Sequence, residues 1–222
     1  MHRRTLRDNG LSIALATLFV VFWVGQAFTG YREFNEDQEA HGDAPVSLGN
    51  YLRSSHFWEA TSENWESEFL QIFSYVFLTA ILFQRGSAES KKPDEPEPVD
   101  RDPHAARIGP ETPWPVRRRG FVLKLYEHSL SITFLLLFLI SIAIHAVSGA
   151  GVYSDERLSH GETALSTLQY LRTARFWFES FQNWQSEFMS IAAMVVFSIF
   201  LRQRGSPESK PVDSPHWQTG TD

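Results

Sequence analysis

The chain holds 222 residues, 43% of them apolar; 26 acids outnumber 20 Lys and Arg for a formal charge of −6, and there is no cysteine. Without thiols it cannot form disulfides, thiolate zinc sites or cysteine-held iron–sulfur clusters. The charge is spread over loops with no basic face, so nothing supports nucleic-acid binding.

The first predicted element is an apolar run at about 11–28 (LSIALATLFVVFWVGQAF), preceded by His2-Arg3-Arg4. Its length approaches the ~20 residues that cross a ~30 Å hydrocarbon layer at ~1.5 Å per residue. A basic start and an apolar core also describe a secretory signal. A matching run lies inside the chain at about 130–147 (LSITFLLLFLISIAIHAV), where no signal can be, so the first is read as a retained span. Gln26 and His145 hold equivalent places near the outer ends of these runs; a His there suits an interhelical hydrogen bond. It has no matched second His for haem, and no cofactor is implied.

The connection that follows is acidic. Asn35-Glu36-Asp37-Gln38 and Ser154-Asp155-Glu156 have the pattern of helix starts, and His41-Gly42 and His160-Gly161 that of helix ends. A His in a last turn suits the helix dipole. His41 with Asp43, and His160 with Glu162, could instead supply imidazole and carboxylate to a metal, a weak pattern at two ligands per loop.

Next comes an aromatic stretch, Ser47–Phe69, matched by Ser166–Phe188. Tyr51, Trp58, Trp65 and Ile72 recur every seventh residue, as do Tyr170, Trp177, Trp184 and Ile191, which keeps them on one helical face. Trp58, Trp65, Trp177 and Trp184 fit interface anchors at headgroup level. A second stripe carries Arg53, Asn64 and Glu68, repeated as Arg172, Asn183 and Glu187. One straight helix from Ser47 to Gln84 would exceed the bilayer at ~1.5 Å per residue. A break near Thr61–Asn64 is therefore expected, with an interfacial helix before it, Asn64 and Asn183 as caps, and spans at about 65–83 and 184–201. Glu68 and Glu187 would then sit one turn inside those spans, where a carboxylate needs water, a partner or the bundle interior. Arg53 and Arg172 are candidate partners, and these six residues form a candidate polar pocket.

Both copies close on the same motif, Gln84-Arg85-Gly86-Ser87-x-Glu89-Ser90-Lys91 and Gln203-Arg204-Gly205-Ser206-x-Glu208-Ser209-Lys210. Arg and Gly suffice to anchor and stop a helix; retaining the rest suggests a docking surface for a cytoplasmic partner. Residues 92–119 between the copies, and 211–222 after them, are dense in Pro and charge and read as a disordered linker and tail.

These elements form an internal repeat. Leu6–Lys91 lies over Leu125–Lys210 at an offset of 119 without a gap, with about a third of positions identical. The expected fold is all-α and membrane-embedded: four spans as two tandem parallel repeats, residues 1–91 and 120–210, each with an interfacial aromatic helix. Lys and Arg gather at the amino end (Arg3, Arg4, Arg7), in the central loop (Arg85, Lys91, Lys92, Arg117–Arg119, Lys124) and in the tail (Arg202, Arg204, Lys210). Both termini and the central loop are therefore expected in the cytoplasm, where Arg117–Arg119 could also meet anionic lipid.

The segments RRTLRDNGLSIA, YLRSSHFWEATSENWESEFLQ and LFQRGSAESK resemble those of a group of small bacterial inner-membrane proteins of unknown function. The resemblance covers both copies. It implies a bacterial cytoplasmic-membrane location and supplies no activity, cofactor or catalytic residue. No catalytic motif is present, so a non-enzymatic structural, envelope or partner-binding role in the bilayer is the first expectation. A transporter or channel component using Glu68 and Glu187 is the second, as a homo-oligomer because four spans make a thin pore alone. A metal-dependent enzyme using His41 and His160 is the third.

Overall fold

The computed structural model describes residues 8–221. Arg3, Arg4 and Arg7, three of the cations used to assign orientation, lie outside the described residues. Among those described there is no strand. The helices are α1 (Gly10–Ala40), α2 (Leu48–Tyr51), α3 (Ser55–Ile81), α4 (Trp114–Arg118), α5 (Gly120–Glu127), α6 (Ser129–Ser159), α7 (Thr167–Tyr170) and α8 (Ala174–Phe200), with 3-10 turns at Pro98–Asp100 and Pro103–Ala105. α6, α7 and α8 each begin and end 119 residues after α1, α2 and α3.

α1 and α6, 31 residues each, are long and apolar enough to cross a membrane. They continue through the positions expected to start a second helix. Asn35 and Ser154 are not caps but mid-helix residues that hold the returning loop. Asn35 accepts from the Val46 amide at 2.7 Å and donates to the Val46 carbonyl at 3.2 Å. Ser154 accepts from the Leu165 amide at 3.0 Å and donates to the Leu165 carbonyl at 3.1 Å. The expected helix ends are where the sequence puts them. Gly42 and Gly161 take φ of 84° and 76°, the left-handed conformation that costs glycine little. The rings of His41 and His160 sit 2.9 and 2.8 Å from the carbonyls of Asp37 and Glu156.

The chain does break within the aromatic stretch, but at Leu52–Ser54, so that the cap falls ten residues before Asn64. α3 runs unbroken through Thr61–Asn64, and α8 through the equivalent residues. The caps are Ser54, whose hydroxyl accepts from the Phe57 amide and donates to the Tyr51 carbonyl, and Thr173, which accepts from the Phe176 amide. A short hydroxyl in the N-cap position satisfies the donors that an Asn side chain inside the helix cannot reach. Asn64 and Asn183 lie inside these helices instead; their carbonyls accept the Ser67 and Ser186 hydroxyls at 2.8 Å each.

The described chain forms two compact units, each drawing on both sequence copies: Met1–Thr61 with Ile144–Tyr170, and Ser62–Ala143 with Leu171–Asp222. The first is packed around Tyr51 and Tyr170, 2% and 0% exposed. Tyr51 rests on Gly30, where an added Cβ would collide with its hydroxyl; Tyr170 rests on Gly149, where a Cβ would lie 2.6 Å from its hydroxyl. Phe34 and Phe57 flank Tyr51 at ring separations of 5.6 and 5.7 Å. Gln26 donates to Thr61 at 3.3 Å, and His145 is fully buried.

The second unit is held by polar bonds between α3 and α8 and by rings from the first half of α6. Phe138 meets Trp184 edge-on at 6.1 Å, and Phe134 lies 6.4 Å from Phe69. The expected disordered linker and tail carry local order in this unit. In residues 92–119, Asp100 pairs with Lys91 of the preceding turn at 2.6 Å and the Glu97 carboxylate accepts from the Lys92 amide at 2.8 Å. The tail folds as a series of turns on the end of α8. Pro supplies preset φ values to both segments, so turns form without a core of their own.

Candidate functional site

Along the α3–α8 contact the polar groups form a seam. Asn183 donates to the Glu63 carboxylate at 2.6 Å, Trp184 donates its indole N–H to Glu66 at 3.0 Å, and Gln71 donates to the Glu187 carbonyl and the Ser190 hydroxyl, both at 3.0 Å. Glu187 is half-buried and within electrostatic reach of the exposed Glu68. The structure thus brings Glu68, Glu187 and Asn183 to one seam, with Asn64 exposed on α3.

It does not bring the arginines there. Arg53 and Arg172 are exposed in the turns ahead of α3 and α8. Ala174, where α8 begins, already precedes Glu187 by 13 positions, ~20 Å along the helix, and Arg172 lies before it. The expected pairing needed a fold-back at Asn64 and Asn183 that the unbroken helices rule out.

Sequence reasoning missed Glu66. It is fully buried, yet the other copy has Gln185 in its place, so the acid does not repeat. Its signal is the i, i+4 pair with Ser62, also fully buried, which marks the inward face. Of the four expected interface anchors, Trp58, Trp65 and Trp184 are half-buried, Trp184 with its N–H on Glu66, and Trp177 is 41% exposed with its N–H on the Leu171 carbonyl. The His41 and His160 rings are engaged at their own helix ends, and among the described residues no group of three or more His, Asp or Glu could hold a metal.

The motif ending each copy is a built turn. The Ser90 and Ser209 hydroxyls accept from the Gln84 and Gln203 amides at 2.8 and 2.9 Å and donate to the Lys91 and Lys210 carbonyls. Ser87 and Ser206 accept from the Glu89 and Glu208 amides at 3.1 and 3.2 Å. Gly86 and Gly205 take φ of 83° and 87°. Internal bonding thus accounts for retained serines that a stop signal alone does not require.

Two groups in this region stand apart electrostatically. Lys210 is 1% exposed, with its ammonium directed at the carbonyls of Gly86 (2.5 Å), Gln218 (2.9 Å), His216 (3.0 Å), Ile199 (3.3 Å) and Pro215 (3.4 Å). Burial, and then the Arg202 charge, hold its pKa below the usual lysine value. Glu89 accepts a hydrogen bond from the Tyr75 hydroxyl. Burial pushes its carboxyl up, Tyr75 opposes this, and Glu208 adds to it.

The seam and the turns offer carboxylates, amides and hydroxyls that position and bind. No curated protein and no solved structure matches the chain. Residues 2–221 match the family described as Domain of unknown function (DUF6766), and the chain belongs to that family.

Proposed function

We propose that the protein is a four-span bacterial inner-membrane protein with a non-enzymatic, structural or partner-binding role, its termini and central loop cytoplasmic. The observation that carries this reading is α1. None of its residues is buried, and Leu11, Leu15, Val21 and Phe22 are 74%, 58%, 57% and 70% exposed. At ~25 cal/mol per Å², leaving such a surface in water is costly, and lipid removes the cost. The later parts of α3 and α8 carry the same apolar exposure at Phe77, Ile81, Phe197 and Phe200, which supports them as the second and fourth spans. The Lys and Arg bias supports the orientation.

Because the chain lacks cysteine, single cysteines report topology cleanly. An impermeant maleimide added to intact cells should label Asp43→Cys and Glu162→Cys, and should label Asp102→Cys and Ser206→Cys only after permeabilisation. The reverse pattern overturns the reading.

The nearness of Glu68 to Glu187 favours a second reading, a transporter or channel component. Cation flux in reconstituted vesicles that vanishes in a Glu68→Gln/Glu187→Gln double variant would establish it in place of the first.

A further inference from the structure

Two clefts meet at Glu89. One, of about 240 Å³, is walled by Leu78 near the end of α3, by Leu82 and Phe83 just after it, and by Phe188, Ile191 and Val195 from α8. Leu78, Leu82, Phe83 and Phe188 are themselves 40%, 57%, 51% and 38% exposed, so this cleft opens onto the apolar surface. The other, of about 570 Å³, is of mixed character, with Lys91, Glu97 and Asp100 beside Val76, Ala80 and Val99. Thr79, Glu89 and Ser90 line both.

The charges of the larger cleft are partly spent. Lys91 is paired with Asp100, and Glu97 takes the Lys92 amide. Glu89 is different. One carboxylate oxygen takes the Tyr75 hydroxyl; the other is buried and has no hydrogen-bond partner among the described residues. A buried acceptor left without a donor is destabilising, more so if charged, and Glu208 adds negative charge nearby. The site therefore lacks a cationic donor beside an apolar slot too small for a whole ligand.

We propose that these joined clefts bind a bilayer phospholipid with a primary-ammonium headgroup, its ammonium on Glu89 and part of one acyl chain in the slot between α3 and α8. This rests on the membrane reading above. A trimethylated headgroup has no N–H to donate, and an anionic one meets like charge, so the headgroup chemistry discriminates.

The test uses the full chain, purified in mild detergent and titrated with phosphatidylethanolamine, phosphatidylcholine or phosphatidylglycerol of identical acyl chains, with bound lipid read by native mass spectrometry. The wild type should retain phosphatidylethanolamine about tenfold better than the other two. Glu89→Gln should bring the three lipids to parity with helical content unchanged. Val195→Trp, which fills the slot, should lower all three together. Equal retention by the wild type, or a preference that survives Glu89→Gln, overturns the proposal. Flotation with vesicles separates the two failures: a chain that floats without headgroup preference loses this site alone, whereas one that does not float loses the membrane reading as well.

Discussion

The turns Gln84–Lys91 and Gln203–Lys210 are spelled alike and close matching hydrogen bonds through their serines, yet their lysines end in opposite surroundings. Lys91 lies over the Phe83 ring and pairs with Asp100 in a partly exposed position. Lys210 is enclosed by backbone carbonyls from α8, the tail and the first turn. The comparison separates what eight residues encode locally, a hydrogen-bonded turn, from what the surroundings decide. The tail folds over the first turn, with the Gly86 amide donating to Thr219 and the Gly220 amide to the Ser87 carbonyl, both at 2.9 Å. Lys210 is the group that ties these strands of chain together.

The largest effect expected from breaking this contrast is at Lys210. Lys210→Met strands several buried carbonyls and should cost about 3 kcal/mol in the local stability of the tail, read as faster hydrogen exchange at Gly86 and Gly220. Lys91→Met should leave those amides unchanged, because partly exposed ion pairs contribute little. The glycines come next. Gly86→Ala places a Cβ 2.6 Å from the His216 carbonyl oxygen at positive φ and should cost about 2 kcal/mol, whereas Gly205→Ala meets open space and should cost about 1 kcal/mol from its φ alone. Thermal unfolding in detergent distinguishes them. Ser90→Ala and Ser209→Ala should each cost about 1 kcal/mol; clearly unequal losses in the same assay would show that the two turns are not equivalent even locally.

The smallest expected effect is a pH dependence at Glu89. Its folded pKa is raised above the ordinary 4.5, so the folded state holds the proton more tightly than the unfolded one. Its contribution is therefore present below pH 4.5 and is lost as pH rises through the folded value. In lipid-stripped protein the wild type should lose stability relative to Glu89→Gln as pH climbs above 4.5. Melting curves across that range that stay parallel would show that Glu89 is not held in this way.

Much of the architecture was legible because it rests on local chemistry. The apolar runs and the His-Gly helix ends need only neighbouring residues. The break in the aromatic stretch was misplaced because Asn64 and Ser54 are both competent caps; what decides is which of them lets Tyr51 pack on Gly30, a tertiary fact. The same holds for Asn35 and Ser154, which look like caps and serve as loop anchors. In the seam, Glu68 and Glu187 stood out by repeating, while Glu66 was hidden by Gln185. The Lys210 enclosure joins groups up to 124 residues apart, beyond the reach of any local pattern.

The enclosure also makes Lys210 a chemical clock. The sequence contains four lysines, Lys91, Lys92, Lys124 and Lys210, and an acylating reagent needs a free, uncharged amine with room to approach. Lys124, which is exposed, should react early and Lys210 last, at a rate set by how often the tail lifts away. Counting acyl groups by intact mass over time would then time that opening in the unaltered chain.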